Sequence, residues 1–267
     1  MKVLLVNKFY HLNGGAERHL FEWERLLRAH GHAVSVFSMR DARNRPCAQE
    51  RFFSDAVRFD GISSAREKLR AATLSLWNAR AAQRLEALLD AEGRPDIAHL
   101  HAFVYQLTPS ILGPLVRRDV PIVQTCHEYA HVCVNQHLYN ARTEHPCREC
   151  LARGRLAPLW TRCIKGSLAA SAAGAAAGVT DVLFGRSHRR IRRFFAVSEF
   201  MRGVLVAGGL PAARVFHTPN FIDPDSIAPA DGAGEFLLFL GRLTPYKGIR
   251  AFLKAAARLP EVPCRIV

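Results

Sequence analysis

The chain has 267 residues, 49% of them hydrophobic and 22% charged, the profile of a soluble globular protein with room for one large domain or two smaller ones. A formal net charge of +14 favours anionic partners (nucleic acid, acidic lipid headgroups or phosphorylated substrates) without choosing among them. Other classes are set aside: the apolar opening 1–6 is strand-length rather than a signal core, the weakly apolar stretch 167–184 is mostly Ala and Gly and carries Asp181, and seven cysteines without a signal suggest metal or reduced thiols rather than a disulfide scaffold.

In chain order, residues 2–7 read as a buried parallel strand, 9–15 as a loop closed by glycines, and 16–30 as a helix. Within that helix Leu20, Trp23, Leu27 and His30 recur at three- and four-residue steps. Gly31 stops it, and 33–37 read as a second strand. Strand, helix and strand at this spacing make a βαβ unit, which predicts a parallel sheet covered by helices. Residues 41–65 show no period, and 66–92 return to helical composition in one stretch, with Leu69, Leu74, Leu76, Leu85, Leu88 and Leu89 among many Ala and Arg. A strand at 97–101, a helix at 109–117 and a buried strand at 121–126 follow.

Residues 128–166 carry four cysteines and little periodicity, and are expected to form an ordered insertion. Beyond them come an Ala/Gly-rich helix, the basic stretch 186–193, and a short strand at 194–197, with Ser198 placed to cap the next helix. Residues 216–220 give a weaker strand-to-loop pattern. The Asp-, Ala-, Pro- and Gly-rich segment 224–234 predicts an interdomain linker. After it, 235–240 read as a strand closed by Gly241, 248–258 as a helix and 264–267 as the start of a strand. Those last elements remove too little surface from water to bury a core of their own. Residues 1–223 are therefore expected to form one domain and 235–267 the truncated start of a second.

Two loops carry phosphate chemistry. In Asn13-Gly14-Gly15-Ala16-Glu17-Arg18, two glycines between a strand and a helix let the backbone approach a ligand, and the helix N-terminus offers unpaired N–H groups to an anion. The same residues also suit a plain tight turn. The adjacent glycines lack the spacing of a dinucleotide fingerprint, which argues against a nicotinamide-dependent oxidoreductase. In Gly241-Arg242-Leu243-Thr244-Pro245-Tyr246-Lys247-Gly248, a forked guanidinium and a mobile ammonium suit a departing diphosphate, although a solvated basic loop would look alike.

With these loops the chain resembles glycosyltransferase family four, retaining GT-B enzymes that use nucleotide sugars. Five stretches match in order: the opening strand with Gly14-Gly15-Ala16-Glu17-Arg18; Asp96-Ile97-Ala98-His99-Leu100-His101; Thr125-Cys126-His127-Glu128-Tyr129; Ala196-Val197-Ser198-Glu199-Phe200 leading to Pro219-Asn220-Phe221-Ile222-Asp223; and Gly241-Arg242-Leu243 with Lys247-Gly248. The resemblance implies an α/β fold of two Rossmann-like domains and transfer of a hexose from a nucleoside-diphosphate sugar to an acceptor hydroxyl, in polysaccharide or glycolipid assembly. It implies the Gly14-Gly15 loop facing the sugar-phosphate and acceptor cleft, His127 near the transferring sugar, and Arg242 and Lys247 on the donor diphosphate in place of a metal. Glu17 and His101 fall on the acceptor side, where a core or loop histidine explains His101 equally well. The family's acidic pair, two glutamates eight positions apart late in the second domain, has no counterpart here, since only Glu261 follows Lys247. The 267 residues alone are therefore expected not to turn over. The alternative is an inactive acceptor- or membrane-binding protein built from the N-terminal domain.

Cys133, Cys147, Cys150 and Cys163 form C-x13-C-x2-C-x12-C, a spacing that lets thiolates reach one structural zinc, with His131, His137 and His145 as substitutes and reduced, packed cysteines as the plain alternative. Catalysis calls for no cofactor. Arg186, His188, Arg189, Arg190, Arg192 and Arg193 are read as a helix face resting on anionic lipid, with a plain solvated basic face explaining them equally well; the lipid reading places the protein in the cytoplasm, peripheral on the inner face of the membrane. Nucleic acid is the less favoured partner, for want of interleaved aromatics or a recognised module.

Overall fold

Short apolar runs with no alternation become strands buried on both faces, as expected of a parallel sheet flanked by helices. The computed structural model describes residues 1–59, 61, 64–228, 232 and 234–267. Strand β1 (Lys2–Val6), helix α1 (Gly15–Ala29) and strand β2 (Ala33–Phe37) form the opening βαβ unit. Leu20 and Phe21 are buried and Trp23 is half-buried, but His30 lies past the helix end and is exposed.

The stretch 66–92 is two helices, α2 (Ala65–Leu76) and α3 (Ala79–Glu92), rather than one. Asn78 breaks it. Its side chain accepts from Ala81 N at 3.0 Å and donates to Gln106 O at 2.8 Å, while its backbone N–H donates to Thr108 Oγ1 at 2.9 Å. Strand β3 (Ile97–Leu100), helix α4 (Leu112–Arg117) and strand β4 (Ile122–Cys126) follow. The insertion then holds the two-residue antiparallel strands β5 (Tyr139–Asn140) and β6 (His145–Pro146) and the short helices α5 (Glu149–Arg153) and α6 (Pro158–Thr161).

Helix α7 (Leu168–Thr180) runs into a π turn at Asp181–Gly185. Together these 18 residues have a mean hydropathy of 1.4, long and apolar enough by length and composition to cross a membrane. In the fold α7 packs against α2 and α6. Gly174 lies so close to Ile164 and Val134 that a Cβ would meet their side chains at 2.5 and 2.9 Å.

The basic stretch is not one helix face. Only α8 (Ser187–Arg190) is helical, Ile191 is buried, and Arg193 already belongs to β7 (Arg193–Ala196). Ser198 caps α9 (Glu199–Ala207), accepting from Met201 N at 3.1 Å, and β8 (Val215–His217) follows. Of the linker stretch, 229–231 and 233 lie outside the described residues, and Pro224–Ser226 form a single 3-10 turn. Parallel strands β9 (Leu237–Phe239) and β10 (Cys264–Ile266) flank α10 (Ile249–Ala256), with Leu238, Leu240 and Leu253 exposed.

The main sheet is six-stranded and parallel, in the order β2-β1-β3-β4-β7-β8. One face carries Leu4, Val6, Phe37, Leu100 and Ile122 against Leu85 and Leu88 of α3 and Leu115 of α4. The other carries Val3, Leu5, Val34 and Val36 against Leu20 and Phe21 of α1.

Candidate active site

An open parallel sheet binds ligands outside the carboxyl ends of its strands, where the strand order reverses. Here that point lies between β1 and β3. Asn7 and Lys8 leave β1 there, His101 leaves β3, and His127 leaves the neighbouring β4. Asn7 ties the edge together: its amide donates to Glu17 Oε1 at 3.1 Å and to Phe9 O at 2.8 Å, and its Oδ1 accepts from Ala102 N at 2.9 Å. Glu17, 3% exposed, thus spends its carboxylate on holding α1 to the ends of β1 and β3.

Gly14 has extended backbone at the head of α1. A Cβ on it would come no closer than 3.7 Å to Glu17, and one on Gly15 would meet nothing. Nothing in the packing of this loop therefore demands glycine, and the space above it is open for a ligand.

Beside the loop, histidines converge from three elements. His19 of α1, His101 and His127 are joined by an edge-on contact of His19 with His127 (ring centroids 5.1 Å apart), a near-parallel stack of His101 on His127 (5.3 Å), and a hydrogen bond of 3.1 Å between His101 Nδ1 and His127 Nε2. His99, two residues up β3, stacks on His101 at 4.4 Å and bonds Thr125 Oγ1 at 2.8 Å. Trp23 and Phe221 close the group, with Phe221 5.0 Å from His19 and 5.4 Å from Trp23. The Phe221 segment is tied to α1 by an ion pair of Arg25 with Asp223 at 3.0 Å.

Removal from water disfavours the imidazolium form. Burial pushes His19 down to about 4, and His99 and His127 to about 3, with neighbouring positive charges adding to the effect at the last two. His101 is held well below its ordinary range for the same reasons. At neutral pH all four are neutral, each with one N–H and one lone pair. Both nitrogens of His19, Nε2 of His101 and Nε1 of Trp23 are buried with no hydrogen-bond partner among the described residues.

Arg242 and Lys247 are exposed, with no ion pair among the described residues, and Lys247 lies 5.8 Å from the Tyr246 ring. Their loop touches the insertion: Tyr246 stacks on His137 at 4.9 Å, and Arg250 of α10 pairs with Glu144. Desolvation and the cations Arg242, Lys8 and Lys247 lower His137 against the pull of Glu128, itself 3.8 Å from Lys8.

The four cysteines of the insertion are free thiols in one neighbourhood. Cys133 and Cys150 are hydrogen-bonded, which lowers Cys133 to about 6, and Cys163 feels the charges of Cys133 and Cys147. The histidine substitutes have other roles: His131 bonds Gln124 Oε1 at 2.7 Å, His137 stacks on Tyr246, and His145 is exposed. Among the described residues, the set whose ligand atoms all lie within 4.8 Å of one another is His19, His101 and His127. His19 was not legible as a site residue. Its only sequence signal is that it stands four residues before Trp23, on one helix face beside the glycine loop.

Residues 13–226 match the family model described as Glycosyltransferase Family 4. No curated protein sequence matches the chain. Among solved structures it is similar to the catalytic domain of starch synthase IV from Arabidopsis thaliana bound to ADP and acarbose, with a TM-score of 0.55 and 15% identity over 99% of this chain and 67% of that one. It is also similar to Anabaena Alr3699/HepE in complex with UDP and glucose (TM-score 0.49, 16% identity, 100% and 60% covered). A third is the apo lipopolysaccharide outer core galactosyltransferase WaaB (TM-score 0.49, 12% identity, 100% and 60% covered). The chain thus spans about three fifths of the length of the latter two.

Proposed function

The chain belongs to glycosyltransferase family 4, with the α/β fold of the GT-B type, and from that premise we propose that it forms the acceptor side of an enzyme moving a hexose from a nucleoside-diphosphate sugar to an acceptor hydroxyl with retention of configuration. The observation that carries this reading is the set of unpartnered buried polar atoms on His19, Trp23 and His101 beside His127. A buried polar atom without a partner costs about 1–3 kcal/mol, so a cluster holding four of them favours a ligand with matching polar groups. Sugar hydroxyls both donate and accept, as neutral imidazoles do, and the rings of Trp23 and Phe221 offer apolar faces to sugar C–H groups.

In this reading His127 orients the transferring hexose, and the open Gly14-Gly15 loop lets the acceptor or the sugar-phosphate approach the backbone. Arg242 and Lys247, unpaired by any carboxylate among the described residues, stabilise negative charge on the leaving diphosphate. Glu17 positions α1 through Asn7 rather than touching substrate. Saturation-transfer NMR of nucleoside-diphosphate hexoses with the chain tests this. Hexose protons should saturate for at least one donor and lose that saturation in His127→Ala. Silence across a donor panel would overturn it.

A membrane partner belongs to the same reading. At the end of α7, Val182, Leu183 and Phe184 are 44%, 54% and 64% exposed. Arg186, whose Nε donates to Leu183 O, and Arg189 follow them in the chain, both exposed and without an ion pair among the described residues. Exposed apolar side chains followed by unneutralised arginines suit an anionic lipid surface, and a lipid-linked acceptor would be reached from there. Cys133 and Cys150, which touch, with Cys147 and Cys163 we assign to a structural zinc that would draw the four thiols together within the insertion.

A further inference from the structure

We propose that His19, His101 and His127 also form a binding site for a late first-row divalent transition ion, of which zinc is the type. This site does not depend on the glycosyl-transfer reading. It rests on convergence: one ligand atom from each histidine lies within 4.8 Å of the other two, although the residues come from a helix and two separate strand ends. His101 Nδ1 and His127 Nε2 are 3.1 Å apart, close to the edge of about 3.3 Å that Zn–N bonds of about 2.0–2.1 Å give a tetrahedron. An ion can take the place of the proton those two nitrogens share once each ring turns so that the two lone pairs meet off the line between them.

The third ligand is ready in the same sense. Both nitrogens of His19 are buried and without a partner among the described residues, so whichever tautomer it adopts, its lone pair is unused there. The rings are also held in place. His101 lies between the stacked rings of His99 and His127, and His19 is bounded by Trp23 and Phe221. Ligands fixed before binding lose little freedom when the metal arrives. Imidazole suits zinc, copper and nickel, whereas magnesium and calcium favour oxygen ligands.

Three protein ligands leave a fourth position for water or a hydroxyl, the pattern of an open site rather than a structural one. The ion and a sugar would use the same nitrogens, so metal and hexose compete.

The test is cobalt(II) titration of the full chain, followed by visible and near-ultraviolet spectroscopy, with zinc as competitor. The proposal expects one equivalent of tetrahedral cobalt showing d–d bands without thiolate charge transfer, since the ligands are nitrogens. A second site on the cysteines would add that charge-transfer band, and the Cys147→Ser/Cys150→Ser variant would remove it while leaving the nitrogen-ligated spectrum. His19→Gln and His127→Gln should each weaken cobalt binding by about 100-fold. Circular dichroism reports whether each variant folds, and the half-buried His127 is the substitution the fold tolerates more readily. No d–d bands in the Cys147→Ser/Cys150→Ser chain, or an affinity unchanged in folded His127→Gln, would overturn the proposal.

Discussion

Lowering the pH from 7 to 5 should unfold this protein, and the slope of that loss is set by its buried histidines. Burial holds His19 and His131 near 4 and His99 and His127 near 3, with His101 also well below its ordinary value, against about 6.5 in an unfolded chain. The folded pKa is the lower one, so each contributes stability that is complete above pH 6.5 and lost as pH falls towards its folded value. Within that window the unfolded chain binds a proton that the folded chain refuses, which costs about 1.4 kcal/mol per pH unit per histidine. Five such groups give a limiting slope of about 7 kcal/mol per pH unit. A domain stable by about 10 kcal/mol at neutrality would then reach its midpoint near pH 5. Carboxylates held below their ordinary range, such as Asp41 beside Arg43 and Glu86 beside Arg117 and Arg118, titrate lower and leave the window from 6.5 to 5 to the imidazoles. Urea unfolding followed by circular dichroism, at half-unit steps from pH 7.5 to 5, reads the slope directly. The His127→Gln variant should lower it by about 1.4 kcal/mol per pH unit, one proton's worth. A wild-type slope below about 1.4 kcal/mol per unit between pH 6 and 5 would mean that at most one histidine is buried neutral, and would refute the reasoning.

Gly208→Ala should destabilise by about 1–3 kcal/mol in urea melts, because its Cβ would fall 2.2 Å from Cγ1 of Val132 and 2.6 Å from its Cβ, and the latter is fixed by the backbone and cannot swing away. Asn78→Ala should cost about 1–2 kcal/mol in the same assay, through loss of the cap on α3. Replacing Arg186 and Arg189 by Ser should weaken sedimentation with phosphatidylserine vesicles by about 30-fold, and binding of the parent should fall with salt; equal binding to neutral vesicles would count against the anionic-lipid partner. Elemental analysis of freshly purified Cys147→Ser/Cys150→Ser should show less zinc than the parent, and a parent with no zinc would remove the structural site.

Much of this fold is legible in the residues themselves. Val3–Val6 is apolar throughout, and the runs around Val36, Ala98 and Val123 are apolar but for Ser35, His99 and the pair Gln124-Thr125; each is a strand. The break at Asn78 was not legible, because Ala, Arg and Leu continue their helical rhythm on both sides of it. It is made by hydrogen bonds to Gln106 and Thr108, nearly thirty residues away in sequence. The basic stretch failed as a helix for a similar reason, since β-pairing of Arg193 with Val123 claims its end. At the site, His101 and His127 announce themselves by following strands, where parallel sheets bind ligands. His19 does not, because a histidine within an amphipathic helix looks like any other until the sheet brings two more against it. The stacking of Tyr246 on His137, which joins the Arg242 loop to the insertion, likewise exists only in three dimensions.

The central claim is that the histidine cluster around His127 serves sugar transfer, and the most direct measurement is donor turnover by the protein isolated from its own cells. Nucleoside-diphosphate release would be followed across a panel of nucleotide hexoses, for the native protein and for its His127→Ala form. For every donor that the native protein turns over, the account predicts a loss of about 100-fold or more on substitution, the scale of removing one hydrogen bond aimed at the transition state. Release undiminished in folded His127→Ala would contradict it.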